Sequence, residues 1–178
     1  MKIRRINFIG GPGCGKSTLA SYTYSKMKQE GRHVEFVPEF IKPYAYEGIK
    51  FNGFDQVYLF AQQMRQEDMY LRNGVDIVVN ECPLFLTLVY DKIGICNELL
   101  KLMNKFEKHY VSLNILVGRD MKYLSNGRYE TLDEAKEIDD NILSFLYYYG
   151  ITYTTIKSTD RKTLDKLLKG ITKCLKKN

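Results

Sequence analysis

A chain of 178 residues with 44% apolar content can bury one core of ordinary size, and it falls short of two independent domains joined by a linker. No run approaches the ~18 apolar residues of a membrane span, and the basic residues near the N-terminus lead straight into strand-like, glycine-rich sequence instead of a signal peptide. A cytoplasmic protein without membrane contact is the expectation. The formal charge of +6 lies at the end of the chain: residues 157–178 hold eight Lys or Arg against Asp160 and Asp165, and the residues before them balance nineteen basic with nineteen acidic groups. That distribution does not describe a uniformly basic nucleic-acid surface, and the basic tail reads first as a solvated helix face. Cys14, Cys82, Cys96 and Cys174 are widely separated, with no CxxC pair and no histidine at zinc-ligand spacing, so reduced thiols are expected.

In chain order, Ile3 to Ile9 alternate apolar with polar and predict a strand. After a glycine-rich turn, Ser17 to Gln29 predicts a helix closed by Gly31. His33 to Pro38 predicts a second short strand. Phe40 to Asn52 is aromatic and punctuated by Pro and Gly, irregular or weakly helical. From Phe54 to Arg72, Val57, Phe60, Ala61, Met64 and Leu71 follow helical spacing up to the stop at Asn73-Gly74. Asp76 to Val79 predicts a buried strand; Pro83 to Asp91 and Asn97 to Lys108 predict one broken helix or two, interrupted at Gly94; Val111 to Val117 predicts a fourth strand. Thr131-x-x-Glu134 is a capping box for a helix with Ala135, Ile138, Ile142, Phe145 and Tyr149 inward and Gly150 at its end. Ile151 to Ile156 predicts the fifth strand, and Thr163 to Lys177 an amphipathic helix with Leu164, Leu167, Leu168 and Ile171 inward. Strands separated by helices need crossover connections. The expectation is one three-layer α/β/α domain over residues 1–178, with a five-stranded parallel sheet in the order 2-3-1-4-5.

The segment GGPGCGKST, Gly10 to Thr18, fits G-x-x-x-x-G-K-S. Such a loop wraps backbone N–H groups around phosphate oxygens, and its glycines allow approaches that a Cβ would block. Gly10, Gly11, Pro12, Gly13, Cys14, Gly15, Lys16, Ser17 and Thr18 are the candidate nucleotide-binding residues. Lys16 is expected at the β- and γ-phosphates, the Ser17 hydroxyl at Mg²⁺, and the following helix offers its positive end to the anion. The preceding strand and following helix supply the context this P-loop needs.

The P-loop alone fits switch GTPases, motor ATPases and kinases. The nearest approach to a guanine-reading N-K-x-D segment is Asn104-Lys105-Phe106-Glu107, which precedes a strand, and 178 residues leave little room for the appended helical domain of a large oligomeric ATPase. A small-molecule kinase fits best. Glu39 and Glu81 follow the second and third strands, at the carboxyl edge where ligands bind in open α/β sheets; one is expected to organise Mg²⁺ and the other to accept the proton of an attacking hydroxyl. Arg119 and Arg128 bracket a polar lid, residues 119–130, suited to stabilising charge on a transferring phosphoryl. Residues 39–72 are the expected acceptor region. There Tyr44, Tyr46, Phe51, Phe54, Tyr58 and Phe60 offer stacking surfaces, and Asn52, Gln56, Gln62 and Gln63 could pair with the edge of a base.

These residues resemble the phage-encoded P-loop kinases placed near thymidylate and deoxynucleoside kinases, and among them the 5-hydroxymethyluracil DNA kinases. The resemblance runs through NFIGGPGCGKST, PEFIKPYAYEG, GFDQVYLFAQQ, NGVDIVVNECPLFLTLVY and NGRYETLDEAKEID. It implies ATP and Mg²⁺ as cofactors, a modified pyrimidine in DNA as acceptor, and the host cytoplasm as location. By the same resemblance Glu39 lies near the acceptor hydroxyl, Glu81 near Mg²⁺, and Arg119 with Arg128 in the lid. Glu81 is followed by Cys82-Pro83 where thymidylate and deoxynucleoside kinases usually carry an arginine, so no arginine serves there. A free pyrimidine nucleoside or nucleoside monophosphate kinase, a nicotinamide riboside kinase, and an ATP-dependent regulatory or DNA-binding module are the alternatives, and a homodimer is left open. The expected catalytic residues are Lys16, Glu39, Arg119 and Arg128; acceptor binding falls to Glu39, Tyr44, Gln56, Tyr58, Gln63 and Glu81; Ser17 and Glu81 hold the metal.

Overall fold

The computed structural model describes residues 2–90 and 96–175, without the side chains of residue 96 and residues 172–175. Five strands form one parallel sheet: β1 (Ile3–Ile9), β2 (Val34–Val37), β3 (Ile77–Asn80), β4 (Val111–Gly118) and β5 (Thr154–Lys157), in the order β2-β3-β1-β4-β5. The connections are α1 (Lys16–Gln29), α2 (Lys42–Glu47), α3 (Asp55–Arg72), α4 (Leu86–Val89), α5 (Cys96–Glu107) and α6 (Leu132–Tyr148), and α7 (Arg161–Leu175) closes the chain. The expected strand order is the observed one. The predicted break at Gly94 and the end of the last helix at Lys177 lie outside the described residues.

The period of two along the strands divides the core between two faces. Ile6, Phe8, Ile77, Val79, Ile115, Val117 and Ile156 pack with Leu19, Ala20 and Met27 of α1 and Leu164, Leu168 and Ile171 of α7. Ile9, Val37 and Val78 face the other way, onto α3, α4, α5 and α6. Each large side chain removed from water in this way contributes ~1.5–3 kcal/mol. The second face also carries polar residues. Asn80 donates to Asn7 at 2.7 Å and Asn7 to Asn114 at 2.8 Å, while Asn114 donates to the Thr152 carbonyl at 3.0 Å. The register sets Asn7 opposite both Asn80 and Asn114, so three neighbouring strands are tied by one amide chain just below the sheet edge that bears the P-loop.

Three local expectations are refined and a fourth holds. Phe40 to Asn52 contains α2, with proline in its first turn and Gly48 at its end. Helix α3 buries Leu59, Phe60, Gln63, Glu67 and Leu71, whereas Val57 is exposed; its inner face is rotated from the apolar stripe because two inward positions are polar. Strand β5 starts at Thr154 because the Ile151 amide is engaged by the Leu146 carbonyl at 2.9 Å, closing α6 past Gly150. Helix α6 begins as expected: Thr131 Oγ1 accepts from the Glu134 amide at 3.3 Å, and the Glu134 carboxylate accepts from the Thr131 amide at 2.7 Å.

Candidate active site at the phosphate loop

Strand β1 ends at Ile9, the loop turns through Gly10 to Gly15, and α1 starts at Lys16. Two glycines show where the loop has no room for a side chain. Gly13 (φ 74°) lies so near the Tyr123 ring that an added Cβ would come within 2.7 Å of it, and a Cβ on Gly15 (φ 104°) would meet Ser158 Cβ at 2.6 Å. Lys16 Nζ donates to the Gly11 carbonyl at 2.9 Å, which curls the side chain over the loop. Burial opposes the Lys16 charge, but Cys14, Glu39, Cys82 and Glu81 around it outweigh that effect and hold its pKa above the usual lysine value. It remains an ammonium, as a phosphate ligand must.

Parallel pairing of β3 beside β1 and β2 beside β3 brings the two expected carboxylates to the loop. Ser17 Oγ donates directly to Glu81 Oε1. Lys42 Nζ lies on the same pair, donating to Ser17 Oγ at 3.2 Å and sitting 3.6 Å from Glu81 Oε1. A hydroxyl against a carboxylate is a hard-oxygen donor set that suits Mg²⁺ completed by nucleotide phosphates, and an ammonium already resting there shows that the position favours positive charge. Glu39 lines the same cleft as Lys16 and lies within its electrostatic reach. Burial raises its carboxyl pKa above the usual range, Lys16 and Lys42 pull it down, and Glu81 pushes it up.

From the loop opens a cleft of about 860 Å³, lined by Gly13, Lys16, Ser17, Glu39, Gln56 and Gln63 on one side and by residues 121–130 on the other. Gln56 Nε2 donates to the Thr87 carbonyl, and Gln63 Nε2 to Glu67 at 3.5 Å, so both amides are oriented by the wall behind them. Tyr44 and Tyr58 are not among the lining residues. Tyr44 packs between Phe40 and Phe51 with ring centroids at 5.7 and 5.0 Å, and Tyr58 meets Phe40 edge-on at 5.6 Å. They support the cleft wall from outside. Tyr46 does reach the cleft.

The two arginines expected in a lid have separate places. Arg128 lines the cleft; its guanidinium donates to the Leu124 carbonyl and lies 5.4 Å from the Tyr123 ring centre. Arg119 is turned the other way, behind the loop, where it donates to the Pro12 carbonyl at 2.8 Å and to Asp139 Oδ2 at 2.8 Å. Asp139 Oδ1 accepts from the Gly11 amide at 2.7 Å. The carboxylate therefore ties α6, the lid base and the phosphate loop together. Neither Asp139 nor Lys42 was expected from the sequence. A charged residue one turn after Ala135 on the inward stripe of α6 is the signal for the first; nothing in the sequence singles out the second among the lysines. The lid also rests on α2: Gly127 abuts the Tyr46 ring so closely that a Cβ would overlap it, and Tyr129 donates its hydroxyl to the Ile49 carbonyl.

Among known families, the AAA domain family AAA_28 matches residues 5–163. The chain belongs to that family. The P-loop, the parallel sheet with β3 directly beside β1, and the match together make it a P-loop NTPase, built to bind a nucleotide. The NadR protein, solved in complex with NAD and AMP-PNP, is similar in fold, with a TM-score of 0.62 and 15% identity over 86% of this chain. The chain spans 44% of that protein's length. No curated protein sequence matches it. Among the described residues no helix is long and apolar enough to cross a membrane.

Proposed function

We propose that the protein is a kinase that transfers the γ-phosphate of ATP to a hydroxyl on a pyrimidine, with 5-hydroxymethyluracil in DNA as the acceptor that the family resemblance supplies. One observation carries the kinase reading: the phosphate loop and a cleft of about 860 Å³ with oriented amides form one continuous space, with Lys16 and Glu39 at the junction. Hydrolysis needs room only for water. A cleft of this volume accommodates a nucleoside or an extruded base beside the γ-phosphate.

The loop amides and Lys16 would hold the phosphates, and Ser17 with Glu81 would hold Mg²⁺, which would supply charge neutralisation to the nucleotide when bound. Glu39 receives the proton of the acceptor hydroxyl as its oxygen bonds to the γ-phosphorus; the bond from that phosphorus to the β–γ bridging oxygen breaks, and the charge left on the β-phosphate falls beside Lys16. A carboxyl with a raised pKa is a stronger base once ionised, and the neighbouring Lys16 favours the ionised form. Arg128 from the lid adds positive charge at the cleft wall.

A second reading, a free nucleoside or nucleoside monophosphate as acceptor, is favoured by two features of the surface. The lid is seated on Tyr46 and Ile49 over the cleft, which suits a ligand that is enclosed. The basic helix α7 packs beside α1, with Lys26 and Tyr22 bonded to Asp165, on the face of the sheet opposite α3 and the acceptor wall. Incubation with γ-labelled ATP and Mg²⁺ separates the readings. Label in DNA containing 5-hydroxymethyluracil alone supports the first, label in free nucleosides or monophosphates supports the second, and label in no acceptor sinks both.

A further inference from the structure

The contact between Lys42 and the Ser17–Glu81 pair has no role in the account above. Lys42 opens α2, whose six residues include none that is buried, and its side chain is 43% exposed. It would ordinarily be a solvated lysine. Instead its ammonium turns into the cleft and rests on the hydroxyl and carboxylate suited to Mg²⁺, at 3.2 and 3.6 Å. The Lys42 amide also donates to the Glu39 carbonyl at 3.3 Å, so the residue that approaches the metal ligands belongs to the same turn as the carboxylate facing the acceptor.

We propose that Lys42 is the internal counter-cation of the metal site: it competes with the divalent ion for Ser17 and Glu81, and on loading of Mg-ATP it passes to the phosphoryl group being transferred. The proposal rests on the kinase reading for its second half. Two physical arguments support it. An ammonium and a divalent ion cannot both lie within ~4 Å of one carboxylate without strong repulsion, least of all where Glu81 is only 4% exposed and water screens little. The ligand that brings the metal also brings the anion that a displaced ammonium can pair with, and Lys42 lines the same cleft as the phosphate-loop Lys16. Helix α2 buries none of its six residues, and its first residue stands three positions after Glu39. Loading of the donor is thereby felt by the acceptor wall.

Two comparisons test this with the full chain, the first without turnover. In Lys42→Met, which keeps the apolar stem, Mn²⁺ alone, titrated by electron paramagnetic resonance, binds at least ~10-fold tighter than in the wild type, because its competitor is gone; Lys42→Arg stays near wild type. In phosphoryl transfer, Lys42→Met lowers kcat by ~10- to 100-fold with KM for ATP within about threefold, and Lys42→Arg recovers part of the loss. Equal Mn²⁺ affinity in wild type and Lys42→Met overturns the counter-cation role whatever the rates. Tighter Mn²⁺ binding with unchanged kcat overturns the transfer to the phosphoryl. A wild type that transfers nothing to any acceptor is a failure of the kinase reading, and the Mn²⁺ comparison still decides whether Lys42 competes for the metal.

Discussion

Substitution of Glu67 by Gln probes the buried charge cluster behind the acceptor wall. Arg5 of β1 is fully buried and meets two carboxylates, Glu67 at 3.2 Å and Glu107, with Ser112 accepting from its Nε at 3.0 Å. One guanidinium cannot neutralise both. Glu107 is 27% exposed and Glu67 not at all, so the proton goes to Glu67. Burial raises the Glu67 carboxyl from 4.5 to about 7, with Arg5 pulling it down and Glu107 pushing it up. The folded value lies above the unfolded one, so the folded state binds the extra proton between these values, and stability falls as pH rises through that window. Integrating the linkage from about pH 5.5 to about pH 7.5 gives a loss of ~2 kcal/mol from this residue. Gln keeps the size and cannot titrate, while the other groups titrate in both proteins. Urea unfolding at the two pH values is therefore expected to show a decline ~2 kcal/mol steeper in the wild type than in Glu67→Gln. Parallel declines, or a steeper one in the variant, refute the assignment of the proton.

Further outcomes follow from the site. Asp139→Ala removes the acceptor of the Gly11 amide and the partner of Arg119, and calorimetry with AMP-PNP is expected to show affinity lower by ~10-fold, the ~1.4 kcal/mol of one charge-assisted hydrogen bond; unchanged affinity contradicts its anchoring role. Glu39→Gln is expected to stop transfer while nucleotide binding stays within a few fold, and retained transfer removes Glu39 from the proton's path. Arg128→Ala is expected to lower kcat more than ATP affinity; a change in affinity alone places the guanidinium on the donor and not on the transferring group. Lys16→Ala and Ser17→Ala are each expected to abolish transfer with an unchanged circular dichroism spectrum, and turnover near wild type in both ends the kinase reading.

The parts legible in the sequence were those where local chemistry and fold agree. The P-loop, with a strand before it and a helix after it, positioned Lys16 and Ser17, and the alternation of strands with helices led to the sheet order that places Glu81 against Ser17. The capping box at Thr131 and Glu134 fixed the start of α6. Periodicity failed where polar side chains face inward: Gln63 and Glu67 sit on the buried side of α3 and pair with each other and with Arg5, so an apolar count rotates that helix. Asp139 escaped for the same reason on α6. The aromatic run from Tyr44 to Phe60 reads as a stacking platform, but Tyr44 and Tyr58 find their ring partners in Phe40 and Phe51, a choice that depends on how α2 packs. Lys42 is visible only once α2 is placed beside α1.

In the proposed reaction the nucleotide's phosphate leaves to an acceptor in the adjoining cleft and not to water. The direct measurement is ADP formed per phosphoryl group found in the acceptor, with and without that acceptor, under saturating ATP and Mg²⁺. Little ADP is expected without acceptor, and one ADP for each phosphorylated acceptor when it is present. ADP and free phosphate released at the same rate with and without every acceptor offered would contradict it, and would make the cleft a regulatory or binding surface of an ATPase.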